Sequence, residues 1–168
     1  PNPYFNLSAD ISLEEFFATT GNIITALHYA DTIEDVVHFV RCDISDFLKE
    51  TCTIFDCELG KYHFISCSSD ENYHNVSFQR SAYFYRYENN EAVEHAHIVE
   101  ISLQQKVTTK FKSDYVVSHC PSCNKNYDWF SSPTCPNCGE SPIYEDYDWV
   151  VTAIKILPFK DGKEMKKW

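Results

Sequence analysis

Two Cys-x-x-Cys pairs, Cys120-Pro-Ser-Cys123 and Cys135-Pro-Asn-Cys138, stand eleven residues apart and constrain this chain more than anything else in it. A turn of this kind lets both sulfurs converge on one point while backbone amides aim at them. Pro121 and Pro136 stiffen the turns, and Gly139 supplies the left-handed backbone by which the chain leaves the second one. Two such turns complete a tetrahedron of sulfur, so the spacing predicts a metal site with Cys120, Cys123, Cys135 and Cys138 as ligands and Zn²⁺ as the ion. With four thiolates in place no position is left for water, and a hydrolytic role for this ion is not expected. A rubredoxin-like iron site is the competing occupant, and two disulfides or four free thiols are the alternative without metal.

The chain around this motif has 168 residues, 43% of them apolar and 15% aromatic, enough to bury a core without disulfides. One domain with one insertion is the expected organisation: 1–119 plus 146–168 as a helix-and-sheet binding domain, and 120–145 as an inserted zinc ribbon. The formal charge of −11 repels phosphate, and a zinc tetrathiolate adds two more negative charges. The ribbon region sets Asp114, Asp128, Glu140, Glu145 and Asp146 against Lys125, so nucleic acid is not an expected partner. Lys160, Lys163, Lys166 and Lys167 beside Trp168 read as a solvated end.

Metal-ligating cysteines imply a reducing compartment, and a cytoplasmic location is expected, with the inner face of a membrane as its variant. The chain starts at Pro1 and its single Met is Met165, which suggests a processed product or a piece of a longer protein. No signal peptide or membrane-length apolar run is evident, because Val150 to Phe159 is interrupted by Lys155 and Pro158. Cys42, Cys52, Cys57 and Cys67 lack paired spacing and are expected to be small buried hydrophobes.

Ser12 and Glu15 have capping-box spacing around Leu13, Phe16 and Phe17, predicting a helix that meets a break near Gly21, with Asn22 to Ala30 left open as its continuation past a kink. Thr32 and Asp35 repeat that pattern. Ile33, Val36, Val37, Val40, Ile44, Phe47 and Leu48 then recur at helical spacing, predicting one long amphipathic helix through Lys49. From Thr51 the period changes to two. Strands are expected over 53–57, 62–67, 75–87, 92–109, 114–119 and 147–157, with turns at Leu59-Gly60-Lys61, Ser69 to Asn72 and Glu88-Asn89-Asn90. Helices followed by antiparallel strands is the α+β pattern.

His95 and His97 project to one face of a strand and could form a ligand or catalytic pair, but no Asp or Glu shares that face of the strand. They are expected to be structural. No phosphate loop, nucleophile elbow or metalloprotease helix motif is present.

The order Cys-Pro-x-Cys, short loop, Cys-Pro-x-Cys-Gly, acidic spacer, then Asp146-Tyr147-Asp148-Trp149-Val150-Val151-Thr152-Ala153-Ile154 resembles bacterial proteins of the TIM forty-four-like family. The resemblance is specific over Cys120 to Ile154 and architectural before it, and Val107 to Asp114 matches that family's strand ahead of the insertion only weakly. It implies a fold of the nuclear transport factor 2 and cystatin kind, with N-terminal helices against a curved antiparallel sheet and a zinc ribbon before the last strand. It further implies membrane or transport association without a catalytic residue to carry over.

The expected function is therefore a non-enzymatic zinc-containing binding domain that accepts an apolar ligand or a partner protein segment between sheet and helices. Membrane association would run through a segment upstream of Pro1. Two alternatives stand beside it. One is an enzyme using His95 or His97 as base. The other is a ribbon that docks a partner through Tyr127, Trp129 and Phe130.

Overall fold

The computed structural model describes residues 12–107, 118–120, 122–127, 132, 134–141 and 148–159. The chain begins with α1 (Leu13–Tyr29), capped where the Ser12 hydroxyl accepts from the Glu15 amide at 3.0 Å. Gly21 does not break the helix, contrary to the sequence expectation. It lies where α1 crosses β1 and β2, with the Arg80 guanidinium 3.3 Å and Leu59 3.9 Å from where a Cβ would stand. Close approach, not chain reversal, is its use.

The long second helix predicted over 32–49 is not formed. A single 3₁₀ turn spans Ile33–Asp35, started as expected by the Asp35 carboxylate accepting from the amides of Asp31 and Thr32, and α2 covers only Ser45–Thr51. Between them Phe39–Arg41 runs extended along the last strand of the sheet. The Val151 amide donates to Phe39 O and the Arg41 amide to Val151 O, both at 2.8 Å. Arg41 then folds its guanidinium back onto the carbonyls of Val37, His38 and Val40 at 2.9–3.1 Å. Carbonyls that a helix would have used are thereby satisfied locally, Val36 and Val37 lie in the turn that follows the 3₁₀ segment, and the β-branched Val40 suits the bridge to Val151.

Four strands, β1 (Phe55–Ser69), β2 (Tyr73–Glu88), β3 (Glu91–Lys106) and β6 (Val150–Pro158), form one antiparallel sheet in the order β1-β2-β3-β6. Short β4 (Ser118–His119) and β5 (Asn126–Tyr127) pair with each other. The arrangement is α+β. Asn89 and Asn90, both with positive φ, close the β2–β3 hairpin, the backbone that a two-residue turn between twisted strands requires. The Leu59-Gly60-Lys61 segment, read as a turn, is instead strand: β1 passes straight through it, with register shifts at Phe55/Glu58, Leu59/Tyr62 and Phe64/Ser66. Of the strand predicted over 114–119, only Ser118 and His119 lie among the described residues.

Register sorts the sheet into two faces. Phe64, Val76, Phe78, Val99, Ile101, Leu103 and Val151 point to the helices and meet Phe16, Ile23, Ile24, Leu27 and Phe39. Phe16 is the hub. Its ring lies 5.2 Å from Trp149 and 5.7 Å from Phe78, both edge-on. Among the described residues these side chains form one continuous buried cluster. The described helices contact β1 and β6 from this side, and the opposite face of the sheet carries no described element.

That second face is built by a bulge. Phe55 opposes Tyr85 and Glu58 opposes Tyr83, so β1 spends three steps where β2 spends two, with Asp56 at φ 50° taking up the extra residue. Strict alternation would send Phe55 and Glu58 to opposite sides. The bulge brings them to one.

Candidate metal centre

Between β3 and β6 the chain makes two turns of the same build. Around Cys120, its amide donates to Lys125 O at 2.9 Å and its carbonyl accepts from the Asn124 amide at 2.8 Å. Around Cys135, its amide donates to Glu140 O at 2.8 Å and its carbonyl accepts from the Gly139 amide at 2.9 Å. The fourth residue past each cysteine has left-handed backbone, Asn124 at φ 62° and Gly139 at φ 79°. Sequence reading singled out Gly139 and missed Asn124. Asn is the commonest non-glycine residue to tolerate that region, so its place in the spacing was the available signal.

These turns bring Cys120, Cys123, Cys135 and Cys138 together, with all four Sγ atoms within 4.8 Å of one another. Cys120 Sγ lies 3.6 Å from Cys138 Sγ, and Cys123 Sγ 3.7 Å from Cys135 Sγ. A tetrahedron with Zn–S bonds of ~2.3 Å has edges of about 3.8 Å, whereas a disulfide brings sulfurs to ~2.05 Å. All eight cysteines are free thiols. The donor set therefore fits a tetrathiolate ion, and the four residues predicted from spacing are those the fold assembles.

The local field favours thiolate at two positions. Cys123 is pushed down to about 6 by the Lys125 amide and by the Asn137 side-chain amide, whose nitrogen donates to its sulfur at 3.4 Å. Burial opposes ionisation of Cys120, but the amides of Cys123 and Ser122 together with the Cys138 and Cys135 sulfurs outweigh it, and its thiol lies below the ordinary range. At Cys138 the Glu140 amide favours thiolate, yet burial and three neighbouring sulfurs push the group up to about 12. Four thiols this close cannot all ionise without a cation among them. Asn137 was not legible as a second contact to the site.

The centre is tied to the core. Cys120 and Cys135 are buried in the same cluster as Trp149, Val150 and Tyr127, whose hydroxyl is pushed up to about 12 by burial and by the thiolates. Tyr127 is thus interior, not part of an exposed aromatic patch, and Trp129 and Phe130 lie outside the described residues. Cys42, Cys57 and Cys67 are half-buried, as small core residues would be, but Cys52 is exposed. Burial and the Glu58 charge raise the Cys57 thiol to about 11, which makes it a poor nucleophile.

His95 and His97 share a face but have separate partners. His95 Nε2 meets Glu88 Oε1 at 2.8 Å near the hairpin end, a carboxylate from β2 that inspection of β3 alone did not reveal. His97 is buried and its Nε2 lies 2.8 Å from Nε2 of His28, whose Nδ1 lies 2.8 Å from Ile24 O. The carbonyl can only accept, so His28 carries its proton on Nδ1 and offers a lone pair at Nε2, and His97 donates from Nε2. Burial lowers both groups, His97 to about 3 with the His28 and Arg86 charges adding, so this pair is neutral at ordinary pH. Sequence reading did not select His28, because its position on α1 looks like any other turn of the helix.

Comparison with protein-family profiles, curated proteins and solved structures finds no match to this chain.

Proposed function

We propose that this chain is a non-enzymatic binding domain stapled by one structural zinc ion, with its partner segment docking on the second face of the four-stranded sheet. The observation that carries this reading is the placement of Phe55, Tyr85 and Tyr87 on that face: their rings stack at 4.7–5.8 Å, and Tyr87 is 72% exposed. Large aromatic side chains presented together on a rigid sheet are typical of contact surfaces. Phe16, Phe64 and Phe78 fill the space between helices and sheet, which favours a partner on the open face over an apolar ligand inside. Zinc is the ion of choice because the sulfur separations suit a closed tetrahedron and the chain offers no other sign of electron transfer.

The non-enzymatic reading is supported by His97, whose Nε2 proton is committed to His28 within the core. Membership of the TIM forty-four-like family, and with it transport or membrane association, rests on the Cys120 to Ile154 pattern alone. No helix among the described residues is long and apolar enough to cross a membrane. The test is photo-crosslinking from a benzophenone amino acid placed at position 87, with position 14 on the exposed side of α1 as control. Partners captured through position 87 and not through position 14 support the reading. Equal yields from both would sink it.

A further inference from the structure

Tyr85 on the second face of the sheet lies between Phe55 on β1 and Glu94 on β3, and the next row sets Tyr83 between Glu58 and Ala96. Aromatic rings thus run down the middle with a carboxylate on each flank. Both glutamates are exposed, and among the described residues neither has a hydrogen-bond or ion-pair partner. Ala92 opposite Tyr87 keeps the β3 side of this strip low at that row, whereas at Tyr83 the Phe159 ring closes the margin at 5.9 Å, so the accessible rings are those of Tyr85 and Tyr87.

Rings with negative faces, flanked by exposed carboxylates on a chain of charge −11, match one ligand chemistry. A cation desolvated on a tyrosine face gains attraction from the ring quadrupole, and its N–H groups can reach a carboxylate beside the ring. Arginine suits this best, because its planar guanidinium stacks and pairs at once. We infer that the second face recognises an arginine- or lysine-rich peptide segment, the cation seated against Tyr85 and Tyr87 between Glu58 and Glu94. This inference rests on the reading of the second face as the docking surface and adds the chemistry of its partner.

The bulge at Asp56 is the structural reason the site exists on one face. Without it Phe55 and Glu58 would part company, and the strip would lose either its stacking ring or one carboxylate.

The test uses the full chain with its metal and a capped tetra-arginine peptide, followed by amide shifts in ¹H–¹⁵N spectra at 0.15 M salt. Saturable shifts are expected to concentrate on Tyr83–Tyr87 and Glu94. The Glu58→Gln, Glu94→Gln double variant should weaken binding about tenfold, and Tyr85→Ala several-fold. The same number of charges is removed elsewhere in Glu14→Gln, Glu34→Gln, both exposed on the helical side. An equal loss in that control would reduce the effect to bulk charge and overturn the inference. Shifts of the second face with an uncharged tyrosine-rich peptide but not with tetra-arginine would overturn it too, while leaving the docking surface in place. If no peptide of either kind moves those residues, both readings fall. Second-face shifts that follow the chain's own concentration, with no peptide present, would assign the face to a second copy and end the inference.

Discussion

His28 on α1 and His97 on β3 join helix to sheet through one buried bond, Nε2 to Nε2 at 2.8 Å, with His28 anchored in turn to Ile24 O. Each imidazole is harder to protonate in the folded chain than in the unfolded one, because burial disfavours the charge. Between about 3, the folded value for His97, and 6.5, its ordinary value, the unfolded chain binds more protons. The stability due to this pair is therefore complete above about pH 6.5 and is lost progressively as pH falls. Each histidine contributes a slope of at most ~1.4 kcal/mol per pH unit. Urea titrations at pH 7, 6, 5 and 4 should show it, and His97→Gln, which can still donate to His28, should have a shallower decline. An unchanged slope in that variant would place the acid sensitivity elsewhere.

Removing one thiol should empty the metal centre without melting the helices. Zinc binding contributes ~10–16 kcal/mol to the folding of zinc-finger peptides. Cys135→Ser should thus bind no zinc by elemental analysis and lose ordered amide signals at Cys120–Tyr127. Helical circular dichroism should persist, since α1 packs on Phe64 and Phe78. Its disappearance would make the centre part of the main folding unit.

The two cysteine turns make a matched pair of substitutions informative. Asn124→Gly should be tolerated and Asn124→Val should strain the left-handed backbone by roughly 1–2 kcal/mol. Gly139→Val should behave like Asn124→Val, although a Cβ there meets nothing within 4 Å, because the strain is in φ and not in contact. Competition with a chelator reads the loss as weaker metal retention.

Gly60 lies under the ring of Tyr83, where an added Cβ would come within 2.8 Å of Tyr83 Cε2 and 2.4 Å of Ser81 Oγ. Gly60→Ala should destabilise by about 1–2 kcal/mol and shift the Tyr83 ring resonances. Part of the cost should vanish in a Ser81→Ala background, measured as a double-mutant cycle in urea.

The four clustered cysteines were legible because a short-range spacing determines each pair. Cys120 to Cys123 and Cys135 to Cys138 need only local turns, and local turns are what sequence records best. The helix over 32–49 failed for the opposite reason. Val36, Val37 and Val40 fit a helical stripe by spacing, yet Val40 is β-branched and also suits a bridge, and its deciding partner, Val151, lies more than a hundred positions away. Gly60 misled in the same manner. A glycine between two alternating runs looks like a turn, and only the presence of Tyr83 across the strand boundary shows that it marks a close approach. His28 was invisible alone and acquired its role from His97.

The two margins of the sheet are treated differently. The far side of β6 is engaged at Val151, whose amide and carbonyl Phe39–Arg41 takes up. Among the described residues no strand pairs with the β1 margin, which is irregular, with three register shifts and the Cys57 amide diverted to the Tyr29 hydroxyl at 2.7 Å. Such a rim is a poor template for another chain to extend the sheet by strand addition, the route by which exposed margins drive fibril growth. A partner that reaches this protein is thus steered toward side chains and away from backbone ladders, and encounters that would propagate without limit find an irregular rim at β1 and an occupied one at Val151.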